Sequence, residues 1–260
     1  MPGFVTFSRT TATTSRSILD ALLSGMAVAA MAIAVAAPAN AATWYWGSNT
    51  TQGGSGTWDT STQRFATGTG GPYSTSWNNS TMAADTVIFG GAAGNATLGA
   101  NITVAQLTLN INGTMSGGAS GFSLTPNGST LDVNCGGSTS NARAISATIT
   151  GSGKGVTVST AGGFPLIVLG TNTYTGLTTI NPTARINLGN GSTFGSIGSS
   201  SGLAIAATGT FTVNRSNTVT QGTDFPVVSG AGVFRKVLTN TVILTAANTY
   251  TGATMVDGGT

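Results

Sequence analysis

The chain carries few side chains that could perform chemistry. It has no histidine, and its acidic residues number six, of which one lies in the first 41 residues. The other five are Asp59, Asp85, Asp132, Asp224 and Asp257. Glycoside hydrolysis needs two carboxyl groups about 5–9.5 Å apart, and a fold that stacks distant segments could bring two of these together. Asp132 would be the first candidate and Asp224 the second, although a solvent-facing strand residue is the simpler interpretation of Asp132.

Other kinds of site lack the residues they need. A hard cation requires several oxygen ligands, and the aspartates are dispersed along the chain. Nucleic-acid binding requires clustered bases, but Arg235-Lys236 is the only adjacent pair of bases after residue 41. Gly151-Ser152-Gly153 precedes no helical pattern, so it indicates a turn rather than a phosphate loop. We predict no catalytic residue, no cofactor, no metal site and no nucleic-acid partner.

Three further polar residues are expected to be structural. Cys135 is the single cysteine, so it forms no internal disulfide. Without a histidine to activate it, a small buried side chain or a free thiol is favoured over a nucleophile. Asp85 and Asp257 lie in turn-like segments, where aspartate commonly hydrogen-bonds its own backbone.

The four tryptophans of the chain are concentrated between residues 44 and 77. Their positions are Trp44, Trp46, Trp58 and Trp77. One interpretation is that these rings seal the open end of a stacked fold, because each buries a large apolar area. The alternative is a platform on which the rings stack against a glycan. We favour the sealing role and keep the glycan platform as the alternative.

The first 41 residues have the pattern of a signal peptide. Arg9 and Arg16 precede an apolar run at residues 22–35, and Ala39-Asn40-Ala41 follows as a small-residue cleavage motif. We therefore predict cleavage between Ala41 and Ala42 and recognition by the export machinery. A membrane helix is the alternative, but the apolar run is shorter than the roughly 20 residues that a span requires.

The remaining chain has the pattern of an all-β protein. Apolar and polar residues alternate with period two in segments such as 101–111, 185–188 and 210–214, which is typical of half-buried strands. Glycine, asparagine and serine separate these segments at intervals of roughly 8–12 residues. A β-sandwich and a parallel β-helix both fit this spacing.

A repeated segment favours the β-helix. Asn172-Thr173-Tyr174-Thr175-Gly176 returns near the end of the chain as Asn248-Thr249-Tyr250-Thr251-Gly252. An apolar strand precedes each copy, and a short β-branched run follows it. A strand–turn–strand unit of this kind cannot bury its apolar face alone, so neighbouring units must stack on it. We predict coils of roughly 20–25 residues each.

The repeated unit resembles the autotransporter-associated β-strand repeat, over about residues 145–189 and 227–260. Residues 43–100 resemble the N-terminal region of autotransporters that contain this repeat. The resemblance implies a right-handed parallel β-helix at residues 101–260, preceded by an irregular aromatic cap at residues 42–100. It also implies a non-enzymatic passenger segment that serves as a structural stalk or an adhesin. A carbohydrate-binding module is the alternative, and a glycan lyase or hydrolase is less favoured.

The resemblance also gives expectations about location and partners. It implies an exported protein on the bacterial surface or outside the cell, attached through a barrel that we expect this chain to lack. Without such a barrel we expect a periplasmic location. Host or cell-surface glycans are the expected ligands of an adhesin. Asp257-Gly258-Gly259-Thr260 lies inside a repeat, so we expect a C-terminally truncated fragment.

Overall fold

The computed structural model describes residues 41–110, 112–136, 143–160 and 164–260. The signal peptide predicted for residues 1–41 lies outside these ranges except for Ala41. The described residues form strands, turns and bends without any helix. Accordingly, this part of the chain contains no helix with the length and apolarity needed to cross a membrane.

The described ranges contain 25 strands. In chain order they are β1 (Thr43–Ser48), β2 (Thr51–Gln52), β3 (Gly56–Trp58), β4 (Gln63–Ala66), β5 (Thr75–Ser76), β6 (Thr86–Phe89), β7 (Ala96–Leu98), β8 (Ile102–Val104), β9 (Gln106–Leu109), β10 (Gly113–Ser116), β11 (Ser123–Pro126), β12 (Thr130–Cys135), β13 (Arg143–Ile145), β14 (Thr148–Ile149), β15 (Gly155–Thr160), β16 (Leu166–Val168), β17 (Thr178–Ile180), β18 (Arg185–Leu188), β19 (Leu203–Ile205), β20 (Thr210–Val213), β21 (Val219–Thr220), β22 (Val228–Gly230), β23 (Val233–Lys236), β24 (Val242–Ile243) and β25 (Thr254–Val256).

These strands wind into a solenoid with three faces. The first face is an eleven-stranded sheet that contains β1, β6, β9, β12, β15, β17, β19 and β22, and the second is a nine-stranded sheet that runs from β3 to β25. The third face contains β8, β11 and β14 and, further along, the pair β21 and β24. Each coil visits the three faces in turn, and strands of successive coils pair in parallel. The predicted parallel β-helix is therefore confirmed, while its handedness stays a prediction.

The alternating pattern of the strands builds the interior. On the first face, one inward column is fully buried, with each side chain at most 1% exposed: Val87, Leu107, Val133, Val158, Ile180 and Ile205. Val87 pairs with Leu107 and Leu107 with Val133, so successive coils differ in length. Most of the outward neighbours, among them Gln106 and Asp132, are polar. Stacked aliphatic side chains thus supply the core, at about 25 cal/mol per Å² of apolar area buried.

The N-terminal strands are less regular than the coils. All antiparallel strand pairs in the described chain lie here, namely β1 with β2, β1 with β4 and β4 with β5. β1 also pairs in parallel with β6, which starts the regular coil. This mixed pairing lies inside the predicted cap at residues 42–100, and the first parallel coil, β6 to β8, begins inside it as well. The boundary at residue 100 stays a prediction.

The two copies of the repeat occupy different faces. The first copy lies on the third face, where the Thr173 N–H donates to the Ile149 carbonyl, and β17 then enters the first sheet. The second copy lies on the first face, where the Thr249 N–H donates to the Val228 carbonyl, and β25 then enters the second sheet. The sequence between the two copies therefore winds through three full coils and then advances by one further face of the solenoid. The repeat specifies a corner of the coil rather than a position around it.

An asparagine side chain forms this corner in both copies. Asn172 Oδ1 accepts the Ile149 N–H at 2.7 Å, and its Nδ2 donates to the carbonyls of Gly170 and Ser196 at 3.2 and 3.0 Å. Asn248 Oδ1 accepts the Val228 N–H at 2.8 Å in the same way. The side chain thus pairs backbone groups that the turn removes from the sheet ladder. Each corner asparagine ties its own coil to the one before it.

Two cations depart from the outward-polar pattern. Arg143 and Lys236 occupy inward positions of β13 and β23 and are only 1% and 2% exposed. Arg143 Nε donates to the Leu109 carbonyl at 2.7 Å, and its guanidinium lies 5.0 Å from the Phe164 ring. Lys236 Nζ donates to the Leu238 and Gly258 carbonyls. Backbone acceptors therefore compensate the burial of both charges.

Candidate binding surface

A shallow groove lies on the outer face of the second sheet. It is open to solvent and has a volume of about 330 Å³. Outward side chains of three adjacent strands line it because alternate residues of a strand point to the same side. They form two rows in register, Arg185–Thr210–Val233 and Asn187–Thr212–Arg235. Strands β18, β20 and β23 thus present five polar side chains and Val233, with a cation in each row. Apolar residues also line the groove, namely Pro165, Val237 and Met255.

The groove has a positive character. Arg185 is exposed, and its guanidinium has no hydrogen-bond or ion-pair partner among the described residues. Arg235 pairs with Asp257, but both side chains are well exposed, at 44% and 36%. Water screens such a surface pair, which is typically worth about 0–1 kcal/mol. Both guanidinium groups are therefore accessible to a ligand that carries carboxylate, sulfate or phosphate groups.

Most of the candidate aspartates bind hydrogen-bond donors or a cation, whereas a glycosidase site would need two carboxylates close together. Asp132 is exposed on β12, as predicted. Asp85 and Asp257 were expected to bond their own turns, and that prediction is wrong. Asp85 binds the Ala42 N–H and the Trp44 indole, and Asp257 binds Arg235. The partners of both carboxylates are distant in sequence and meet them only when the strands stack. The local turn sequence therefore could not predict these hydrogen bonds.

Asp224 belongs to a buried ion pair with Arg215. The side chains are 15% and 8% exposed, and Asp224 Oδ2 also accepts the Thr220 N–H at 2.8 Å. Arg215 Nη1 donates to the Gly195 carbonyl at 2.9 Å as well. This network joins two corners of adjacent coils. Asp224 therefore stabilises the fold here, whereas the enzyme hypothesis had made it a candidate carboxylate.

Replacing Asp224 with asparagine is expected to lower the free energy of unfolding by about 2 kcal/mol, because it leaves the buried Arg215 charge without a counterion. The exposed Asp132→Asn variant is the matched control, with an expected change within about 0.5 kcal/mol. Urea unfolding followed by circular dichroism measures both. Equal stability of the two variants would contradict the structural role of Asp224.

Cys135 is fully buried at the end of β12. Burial raises the pKa of its thiol to about 12, although the charge of Arg143 acts in the opposite direction. The thiolate is the nucleophilic form of cysteine, and it is scarce at neutral pH when the pKa is this high. The structure thus confirms the interpretation of Cys135 as a small buried side chain.

The tryptophan cluster is packed inside the N-terminal strands. Trp46, Trp58 and Trp77 are at most 1% exposed. Trp58 contacts Trp77, Phe65 and Phe89, with ring centroids 5.3, 5.7 and 5.6 Å apart. Trp44 is half-buried, and its indole N–H donates to Asp85 at 2.7 Å. A stacking sugar needs an open ring face, so this packing favours the sealing role for the three buried rings.

Comparison with known proteins gives one informative match. The chain is similar to an autotransporter adhesin. That protein is the adhesin BmaC autotransporter of Brucella suis biovar 1 (strain 1330), and the alignment is 31% identical over 249 residues. It covers 88% of this chain but 7% of that protein, so this chain spans a small part of its length.

The other two comparisons found no match. No family model matches the chain, so the type of repeat stays a prediction. No solved structure matches it either. The adhesin alignment nevertheless covers most of the described coils, which supports a relationship to autotransporter proteins.

Proposed function

We propose that this chain is a non-enzymatic passenger segment of an autotransporter-like adhesin, displayed on the bacterial surface or released outside the cell. The observation that carries the proposal is the alignment to an adhesin over 88% of the chain. The fold supports it, because the described coils stack continuously from β6 to β25. Such a solenoid presents extended faces and needs no catalytic centre to do so.

The groove on the second sheet is the contact surface that we propose for this adhesin. Arg185 and Arg235 stand in neighbouring rows and are two coils apart. With strands about 4.8 Å apart and residues about 3.3 Å apart, their Cα atoms are separated by roughly 12 Å. That separation suits charges on adjacent or alternate sugar residues of an acidic glycan. Asn187 and Thr210, which are half-buried in the same groove, offer hydrogen-bonding groups to hydroxyls.

Binding of the exported protein to immobilised acidic and neutral polysaccharides tests this proposal. We expect binding to the acidic polymer only, weakening as salt rises because the contact is electrostatic. Arg185→Ala should weaken it about tenfold, whereas Thr179→Ala, on the outer face of the first sheet, should leave it unchanged. Unaltered binding by Arg185→Ala would exclude the groove as the contact surface. If the protein binds no glycan, the adhesive role is excluded and the structural stalk is the role that remains.

A further inference from the structure

The first residues of β1 are clamped by the segment that leads into β6. The Ala42 N–H donates to Asp85 Oδ1 at 2.8 Å, and the Ala42 carbonyl accepts the Thr86 N–H at 2.9 Å. The second oxygen of Asp85 accepts the Trp44 indole N–H at 2.7 Å. Asp85 is 8% exposed. A largely buried carboxylate therefore accepts a hydrogen bond from the backbone N–H of Ala42.

Ala42 is also the residue before which the sequence predicts removal of the leader. Hydrolysis of the Ala41–Ala42 peptide bond adds one water, so that Ala41 leaves with the new carboxylate and Ala42 keeps an amine that takes up a proton at neutral pH. We propose that Asp85 is the binding site for this new α-ammonium group. Processing thus replaces a neutral amide donor with a cation at the same position.

The surroundings of Ala42 suit a cation. Hydrogen bonds between charged partners are roughly twice as strong as neutral ones. A depression beside Ala41 is also lined by Asp132, a second carboxylate. A cation of opposing effect is Lys154, whose Nζ donates at 2.8 Å to the carbonyl of Gly128, a residue that lines this depression. Of the two acids, Asp85 makes the direct contact, and Asp132 adds to the negative potential.

The ion pair has a defined dependence on pH. A partner carboxylate raises the pKa of an amine above its ordinary value of about 8. The stabilisation is therefore fully present below about pH 8 and is lost as the pH rises through the raised value. The mature chain gains this stabilisation, and the precursor, which has an amide at Ala42, does not. The inference does not rest on the proposed adhesin role.

The experiment uses the full chain exported from a bacterial host with its own leader. N-terminal sequencing is expected to find Ala42 first, and another first residue would overturn the proposal. Acylation of the α-amine at pH 7 is then compared in the native protein and in Asp85→Asn. We expect the variant to react about tenfold faster, which corresponds to one pKa unit. Equal rates would overturn the proposal.

Two additional measurements separate this ion pair from general effects of substitution. Asp132→Asn is the matched control, for which we expect less than about a threefold change in rate, because a more distant charge acts through solvent. If Asp85→Asn does not fold, titration of the wild-type α-amine decides the question. A pKa above the ordinary range of about 7.7–8.0 supports the ion pair, and a value within that range overturns it.

Discussion

Replacing Trp58 with alanine is expected to lower the free energy of unfolding by about 4 kcal/mol, because it leaves a large cavity among packed rings. Trp58 is 0% exposed and contacts three aromatic neighbours. Urea unfolding followed by circular dichroism measures the loss. The substitution should also loosen β1 and β4, since Phe65 and Trp46 pack in the same cluster.

Two control variants make this result specific. Phe194 is an aromatic residue with 66% exposure, so Phe194→Ala should change stability by less than about 0.5 kcal/mol. The indole nitrogen of Trp58 has no hydrogen-bond partner among the described residues. Trp58→Phe should therefore lose only about 1–2 kcal/mol, because it keeps an aromatic ring and removes an unpaired donor. A Trp58→Ala variant as stable as Phe194→Ala would exclude the sealing role.

The second large effect is expected at the corner asparagine of the first repeat. Asn172→Ala should lower the free energy of unfolding by about 3 kcal/mol. Asn172 is 3% exposed, and its loss leaves the Ile149 N–H and the Gly170 carbonyl without their side-chain partner. Buried backbone groups without partners are costly because water does not reach them.

The second repeat supplies a matched control with the same local geometry. Asn248 makes the equivalent bonds to the Val228 N–H and the Ala246 carbonyl, but it is only half-buried. It also exchanges hydrogen bonds with Gln221, whose amide would keep other backbone partners after the substitution. Water can replace the lost side chain there, so Asn248→Ala should lose about 1 kcal/mol. The two variants are compared by urea unfolding under identical conditions. A larger loss for Asn248→Ala would contradict the argument from burial.

Much of the fold could be predicted from the alternation of side chains. The pattern Arg185-Ile186-Asn187-Leu188 predicts that Ile186 and Leu188 point inward, and they are at most 1% exposed. Period two is a local property, so it survives without knowledge of any partner strand. Arg143 breaks the pattern because its inward guanidinium is satisfied by the distant Leu109 carbonyl, a contact that no local pattern encodes.

The relative placement of segments could not be predicted in the same way. Coils differ in length along the solenoid, so the spacing between the two repeats does not reveal which faces they occupy. The same limit applies to the groove, where Arg185 was predictably outward but its alignment with Thr210 and Val233 depends on turn lengths. Asp85 and Ala42 are 43 residues apart in sequence, and only coil stacking joins them.

The corner asparagine has a mechanical consequence for a protein that is pulled along its axis. Hydrogen bonds between coils point roughly in the stacking direction, so tension would peel the coils apart one after another, beginning at the weakest interface. Asn172 bonds to Ile149 in the preceding coil and to Ser196 in the following coil. Separation of either neighbouring coil must therefore break a side-chain hydrogen bond of Asn172 as well as the backbone ladder, and the solenoid should resist tension more strongly where its repeat forms a buried corner.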